Sequence, residues 1–199
     1  LSAGDHCVVA DDVYGGTFRI FDKTFSRFGI EFTWVDTTDP ANVAAALKDN
    51  TKMLFLETPS NPLLKISDIA ALTKLARDKG ITSVVDNTFA SPYLQRPLEL
   101  GADIVMHSCT KYLGGHSDVV MGAAVTRDQK LHEGISFNQN ASGAVPGGLD
   151  CYLVHRGIKT LGVRMEKACD NAEQIVSFLL EHKRVTKVFY PALDAHPNH

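Results

Sequence analysis

The sequence predicts an α/β domain, a mainly parallel sheet covered by helices on both faces. Three observations carry that expectation. Short apolar runs alternate with helical stretches of about a dozen residues. The residues that close each run are polar or glycine-rich, as loops beyond strand ends are. The composition, 44% hydrophobic and 22% charged over 199 residues, suits a globular chain that can bury one core without staples.

His6 to Ala10 is the first apolar run, ended by Asp11-Asp12. Gly15-Gly16-Thr17 then opens a helical pattern in which Phe18, Phe21, Phe25 and Phe28 recur at three- and four-residue spacing, which predicts one helical face. Gly29 stops it, and Ile30 to Val35 is the second run. Asp39-Pro40 starts a helix, with Asp39 as N-cap and Pro40 in the first helical position. Met53 to Leu56 reads as a buried strand, and Pro59 and Pro62 keep the segment Glu57 to Pro62 non-helical. Ser67 to Lys79 is amphipathic, with Ile69, Leu72 and Leu75 inward and Gly80 closing it. Ser83-Val84-Val85 delivers Asp86, and Ile104-Val105-Met106 delivers His107 to Lys111. Val119 to Val125 follows the Gly114-Gly115 turn as another strand. From Lys130 the pattern is helical, with one long helix over Leu161 to His182, and Val185 to Phe189 reads as a strand leading out. No internal repeat is present.

Twenty Lys and Arg against 23 Asp and Glu leave a net charge of −3 and no basic run, which argues against nucleic acid and anionic membrane surfaces as partners. Apolar stretches fall well short of the ~18 residues of a membrane span. Four cysteines stand singly, so a reducing, cytoplasmic compartment is expected. The opening at Leu1 has no signal-peptide pattern, and the close at Ala195 to His199 is turn-like with nothing packed behind it. Both ends read as those of an interior piece of a longer polypeptide.

Ligands of open α/β sheets bind beyond the carboxyl ends of the strands. This chain puts Tyr14 with Gly15-Gly16, Glu57, Asn61, Asp86, Thr88, Ser108, Thr110 and Lys111 there. The set is read as holding no pair of carboxylates at similar depth. Lys111 is central: a lysine at the mouth of a desolvated site can lose its proton and attack a carbonyl. Ser108 and Thr110 flank it at alternate positions, so both hydroxyls can face one oxyanion. Asp86, delivered into the crevice one strand–helix–strand unit upstream, is costly to ionise without a cation, and a protonated pyridine nitrogen is one such partner. Tyr14 can stack on a planar ring, and Asn61 can donate to a phenolate or a carboxylate. Each residue alone has an ordinary reading: a solvated lysine, a helix-capping acid, a half-buried tyrosine, a turn asparagine. Together they point to chemistry. A zinc site is disfavoured, because His107-x-Cys109, His116 and His132 match no usual ligand spacing. A phosphate-binding NTPase is too, since Thr110-Lys111 lacks the preceding Gly-x-x-x-x-Gly.

The segment Asp103 to Ser117 resembles the pyridoxal-phosphate attachment motif of the Cys/Met-metabolism family. Asp11 to Thr17, Glu57 to Pro62, Val85 to Ala90 and Arg156 to Leu161 are also similar to family segments, in the same order. The resemblance covers essentially the whole chain. It implies a fold-type I, aminotransferase-like large domain over residues 1–183, lacking its amino-terminal arm and phosphate-loop glycines, with residues 184–199 starting a connection to a further domain. It implies pyridoxal 5′-phosphate as cofactor and no metal. Lys111 would bond the cofactor aldehyde and then move protons among Cα, C4′ and Cβ. Asp86 would keep the pyridine nitrogen protonated, Tyr14 would stack on the ring, and Ser108 and Thr110 would hold phosphate. Asn61 would lie near the ring oxygen or the substrate carboxylate, and Thr88 against the ring face. Arg19, Asn61 and Glu57 are substrate-contact candidates.

Asn138 to Pro146 and Asp150 to Val154 are most similar to the cystathionine γ-lyase and γ-synthase branch. That implies γ-elimination or γ-replacement on a sulfur amino acid, with cystathionine cleaved to cysteine, 2-oxobutanoate and ammonia as the first expectation. Synthesis of cystathionine from an acyl-homoserine and cysteine is the alternative. A cystathionine β-lyase activity and a methionine γ-lyase activity come behind these, the latter disfavoured by Gly16. The rival from another class is a catalytically silent assembly module. The family also implies a homotetramer and a small amino-acid substrate.

Overall fold

The computed structural model describes residues 1–199. The elements run β1 (His6–Ala10), α1 (Gly15–Lys23), β2 (Glu31–Val35), α2 (Pro40–Ala46), β3 (Thr51–Glu57), α3 (Ile69–Asp78) and β4 (Thr82–Asp86). They continue through α4 (Ser91–Leu94), β5 (Ile104–Ser108), β6 (Gly122–Thr126), α5 (Gln129–Ser142), α6 (Gly148–Ile158) and α7 (Leu161–Glu181). One six-stranded sheet has the order β2-β1-β3-β4-β5-β6. The first five strands are parallel and β6 is antiparallel to β5. No helix is long and apolar enough to cross a membrane.

The two-residue period of the strands sorts their side chains between two cores. Val8, Leu54, Leu56, Val85 and Val105 pack with α2 and α3 through Val43, Ile69, Leu72 and Ala76. Cys7, Val9, Phe55, Val84 and Ile104 point the other way, toward Phe21 of α1 and Leu131 and Ile135 of α5. A third cluster joins Cys109 and Leu113, just past β5, to Val154 of α6 and Leu161 and Met165 of α7. Helix starts follow local chemistry: Asp39 accepts from Ala41 N–H at 2.8 Å and Asp68 from Ala71 N–H at 3.0 Å.

The structure corrects five sequence expectations. The phenylalanine helix ends at Lys23, and Phe25–Phe28 form a 3₁₀ turn closed by Gly29 at φ 81°. Three residues per turn continue a three-residue spacing as well as 3.6 do, so the pattern did not reveal the break. Only Phe21 enters the core, stacking on Phe32 at 5.0 Å and meeting Phe55 edge-on at 5.2 Å. α3 begins at Ile69, because the Ser67 hydroxyl is bonded to Thr37 at 2.7 Å. β6 begins at Gly122, because Val119 is drawn into the third cluster while Val120 faces out. Val185 to Phe189 forms no strand. That segment meets no free sheet edge, and the tail is instead tied by Asn198, whose amide donates to Thr38 O at 2.8 Å and Ile66 O at 2.9 Å. The chain end is therefore packed against something after all.

Leu72 is 0% exposed at the centre of the larger core. Leu72→Ala is expected to lower unfolding free energy by roughly 2–5 kcal/mol, the range for emptying a leucine site that collapses only in part. Urea unfolding followed by circular dichroism measures it; a loss below ~1 kcal/mol would contradict this packing.

Candidate active site

β1, β3, β4 and β5 all end at the same edge of the sheet. Parallel register aligns Glu57 with Asp86 and Asp86 with Met106, so the two acids sit side by side on neighbouring strands. Alternation along each strand puts Glu57, Asp86 and Ser108 on the face of Phe55, Val84 and Ile104, the face that α1 covers. Glu57 and Asp86 are each 6% exposed. The expectation of no paired carboxylates at similar depth is thereby overturned: β3 and β4 are neighbours, and their register supplies the pair.

Burial is the main force on both groups. It pushes Glu57 up to about 7, aided by the charge of Asp86, against hydrogen bonds from the Tyr14 and Asn61 backbones. Burial also raises Asp86, and hydrogen bonds from the Thr88 side chain and backbone oppose the rise. Tyr14 N–H donates to Glu57 Oε2 at 2.9 Å, and Thr88 N–H to Asp86 Oδ1 at 2.9 Å. No lysine or arginine pairs with either carboxylate.

Tyr14 caps α1 on this face, 53% exposed. Its ring covers Gly16 so closely that a Cβ there would lie 2.3 Å from a ring carbon. Thr88 also joins β4 to β5, its hydroxyl accepting from Ser108 N–H at 2.8 Å. The Ser108 hydroxyl itself has no protein partner, whereas the Thr110 hydroxyl accepts from Met121 N–H at 3.1 Å and reaches Met121 O at 3.4 Å. Ser108 is thus the freer donor of the two, and Thr110 keeps only the hydrogen of its long contact to offer. Asn61 is half-buried in a loop fastened to β1 by Asp12, which accepts from the Ser60 hydroxyl and from Leu63 N–H at 3.0 Å. Arg19 lies exposed on α1, and no hydrogen bond or ion pair joins it to the other candidates.

Lys111 follows β5 in a tight turn. Its N–H donates to Ser108 O at 3.1 Å, and its carbonyl accepts from Gly115 N–H at 2.7 Å. The side chain is exposed and lines an open cleft of about 1030 Å³ with Phe89, Thr110, Tyr112, Ser117 and Arg164. These residues by themselves do not desolvate the amine, contrary to the sequence expectation. Cys109 beside it is buried and its thiol is raised by that burial, so it serves packing and is a poor nucleophile.

Sequence reading missed the residues that hold this edge in place. Asn87 and Gln95 exchange amide hydrogen bonds at 2.8 and 2.9 Å, and Gln95 also donates to Thr58 O at 2.8 Å, locking the strand ends to the proline loop. Gly157 of α6 meets the lysine turn where a Cβ would lie 2.1 Å from Gly114 O. The segment Arg156 to Leu161 stands out by resemblance, but nothing in its composition announces that contact.

An amine free to meet a carbonyl, one strand from a buried acid that lacks a cation, is what an enzyme holding an aldehyde-bearing pyridine requires. Fold and edge together define the class of fold-type I, pyridoxal-phosphate-dependent α/β enzymes. The chain belongs to the Cys/Met metabolism PLP-dependent enzyme family, whose pattern matches residues 1–199. It is 56% identical over 199 residues to a probable cystathionine γ-synthase of Herpetosiphon aurantiacus, spanning all of this chain and 62% of that one. It is 54% identical over 199 residues to a cystathionine β-lyase of Lactococcus lactis subsp. cremoris, again spanning all of this chain and 52% of the relative. The crystal structure of a cystathionine γ-lyase of Lactobacillus plantarum, complexed with L-serine, matches at a TM-score of 0.97 and 51% identity over 99% of this chain and 52% of that one. The chain thus spans about half to three-fifths of the length of these relatives. The residues present fit pyridoxal phosphate: Asp86 offers an uncompensated buried carboxylate, Ser108 an unengaged hydroxyl and Lys111 an unpaired amine.

Raised carboxyl pKa values make the folded state hold protons that the unfolded chain has released. Stability of the cofactor-free protein is therefore expected to fall as pH rises from about 4.5, the ordinary glutamate value, through about 7. Glu57→Gln keeps an acceptor for Tyr14 N–H and should flatten that slope, leaving the smaller part due to Asp86. Thermal midpoints from pH 4.5 to 8 measure it; parallel profiles for parent and variant would refute the buried-acid assignment.

Proposed function

We propose that this chain forms the cofactor-binding core, over residues 1–183, of an enzyme that acts on the thioether amino acid cystathionine, with residues 184–199 starting the connection to the rest of the protein. The observation that carries the reading is Asp86 and Lys111 at the ends of adjacent parallel strands, Asp86 on the sheet face that Tyr14 overlies. When bound, pyridoxal phosphate supplies an aldehyde for amines and a protonated ring that draws electrons from the substrate's Cα.

The chain's own residues do the rest. The Asp86 carboxyl, held by Thr88, would face the ring nitrogen and keep it protonated. Tyr14 would stack on the ring, Thr88 would lie against its other face, and Ser108, with Thr110 second to it, would hold the phosphate. Lys111 would hold the cofactor aldehyde through its amine and, freed, would carry protons among the substrate's Cα, Cβ and the cofactor's C4′, positions within reach of a long side chain on a turn. Asn61 orients the ring oxygen or the substrate carboxylate. Glu57, bonded to the Tyr14 backbone and pushed up to about 7 by burial, stands beside Asp86 on the face where the ring would lie. Arg19 is kept only as a contact for the distal end of the substrate. The exposed apolar side chains of α1 and α7, Phe18, Ile175 and Phe178 among them, support assembly of the complete protein into a homotetramer.

The reaction is γ-elimination, cystathionine giving cysteine, 2-oxobutanoate and ammonia. A second reading, γ-replacement that builds cystathionine from an acyl-homoserine and cysteine, is favoured by the synthase relative at 56% identity. Full-length protein given cystathionine is expected to release 2-oxobutanoate and cysteine. Pyruvate and homocysteine instead would mean β-cleavage, and cystathionine appearing only from acyl-homoserine and cysteine would establish the second reading. Lys111→Ala is expected to reduce turnover at least ~10³-fold with the fold retained, as loss of a covalent catalyst does. It should also abolish the borohydride-fixed cofactor label. A label still found in Lys111→Ala protein would overturn the assignment.

A further inference from the structure

Arg164 stands in the first turn of α7, outside every residue considered so far as chemical, yet its guanidinium reaches into the turn that carries Lys111. Nη1 donates to Tyr112 O at 2.7 Å, Nη2 to Gly157 O at 2.8 Å and Nε to Thr160 Oγ1 at 3.0 Å. Gly115, at φ +78°, lies flat against the same group: a Cβ there would sit 2.3 Å from Nη1. Gly115 N–H in turn donates to Lys111 O. One planar cation therefore touches the residue after Lys111 and the residue that closes its turn, while its other edge grips the α6–α7 junction.

We propose that Arg164 is a positioning residue for Lys111, fixing the direction of the amine by clamping the 111–115 turn to the start of α7. The proposal rests on the reading of Lys111 given above. The clamp is anchored because Leu161 and Met165, on either side of Arg164 in the helix, are buried in the cluster that also holds Cys109 and Leu113. Helix register is thus set by packing, and the fork transmits it to the turn. A guanidinium suits this clamp because three of its N–H groups diverge in one plane toward three fixed acceptors, which a lysine ammonium on a flexible stem cannot match. Gly115 serves the same end, since any side chain would displace the guanidinium.

The test compares parent, Arg164→Met and Arg164→Lys in the full-length protein. Cofactor-stripped protein is mixed with pyridoxal phosphate, quenched with borohydride at intervals, and the labelled lysine is located by peptide mapping; kcat and KM with cystathionine and the thermal midpoint are measured alongside. Trapping rate and kcat are expected to fall roughly 10- to 100-fold in Arg164→Met, the scale for misplacing a reacting group by about an ångström. The fall should be smaller in Arg164→Lys, which reaches one carbonyl but not both, with KM changing little and the midpoint near that of the parent. Parental trapping and turnover in either variant would overturn the proposal, as would losses that merely track a fall in midpoint. If Arg164→Met does not fold, Arg164→Lys decides on the same criteria. Label on a different lysine in the parent would instead defeat the reading of Lys111, so the two failures are distinguishable.

Discussion

Glu57 and Asp86 end neighbouring parallel strands in register, and burial at this edge resists the ionisation of both. Glu57 is pushed up to about 7, while the rise in Asp86 is opposed by hydrogen bonds from the Thr88 side chain and backbone. Parallel register produces this arrangement, because β3 and β4 must end level for their side chains to meet. Tyr14 over the face and the amine on the next strand's turn lie around this pair of buried acids.

The elements that position the site differ in stiffness in a way that suits their roles. Asp86 belongs to a central strand whose neighbours Val84 and Val85 are buried in opposite cores, so its position is fixed by both. Lys111 rides on a turn, where its long side chain can reach more than one atom. That turn is nonetheless constrained on three sides: Ser108 beneath it, Gly157 pressed against Leu113 and Gly114, and the Arg164 fork at its exit. Thr88 links the two regimes, bonding Asp86 through its own N–H and Ser108 through its hydroxyl.

Much of this was legible in the sequence, for identifiable reasons. Strand ends are marked by the switch from apolar to polar residues, and the placement of ligands beyond them is general, so Asp86, Ser108 and Lys111 could be read directly. The Asp39 cap and the Gly80 stop follow from local chemistry. What was hidden depended on partners distant in the chain. The Glu57–Asp86 pairing needs the knowledge that β3 and β4 are adjacent and that Met53 aligns with Thr82. The break after Lys23 was masked because two helical periods fit the same phenylalanines. Arg164 gave no signal at all, since two of its three acceptors are backbone carbonyls, which carry no sequence identity.

The division of labour at this edge also explains why so many of its contacts are made by glycine and backbone and so few by charged pairs. A salt bridge to Asp86 from within the chain would satisfy the acid permanently and close the position to an incoming cation. Hydrogen bonds from Thr88 hold the carboxylate in orientation without neutralising it. Likewise, backbone hydrogen bonds, glycine contacts and the Arg164 fork fix the Lys111 turn and leave Nζ unpaired. Lys74 pairs with Asp78 and Lys48 with Glu31 away from the site, and the ion pairs nearest it, Lys65 with Asp11 and Asp36 just past β1 and β2, involve neither Asp86 nor Lys111. The one charged group that holds the turn, the Arg164 guanidinium, spends its N–H groups on Tyr112 O, Gly157 O and Thr160 Oγ1, so neither Lys111 Nζ nor the Asp86 carboxylate is consumed by it.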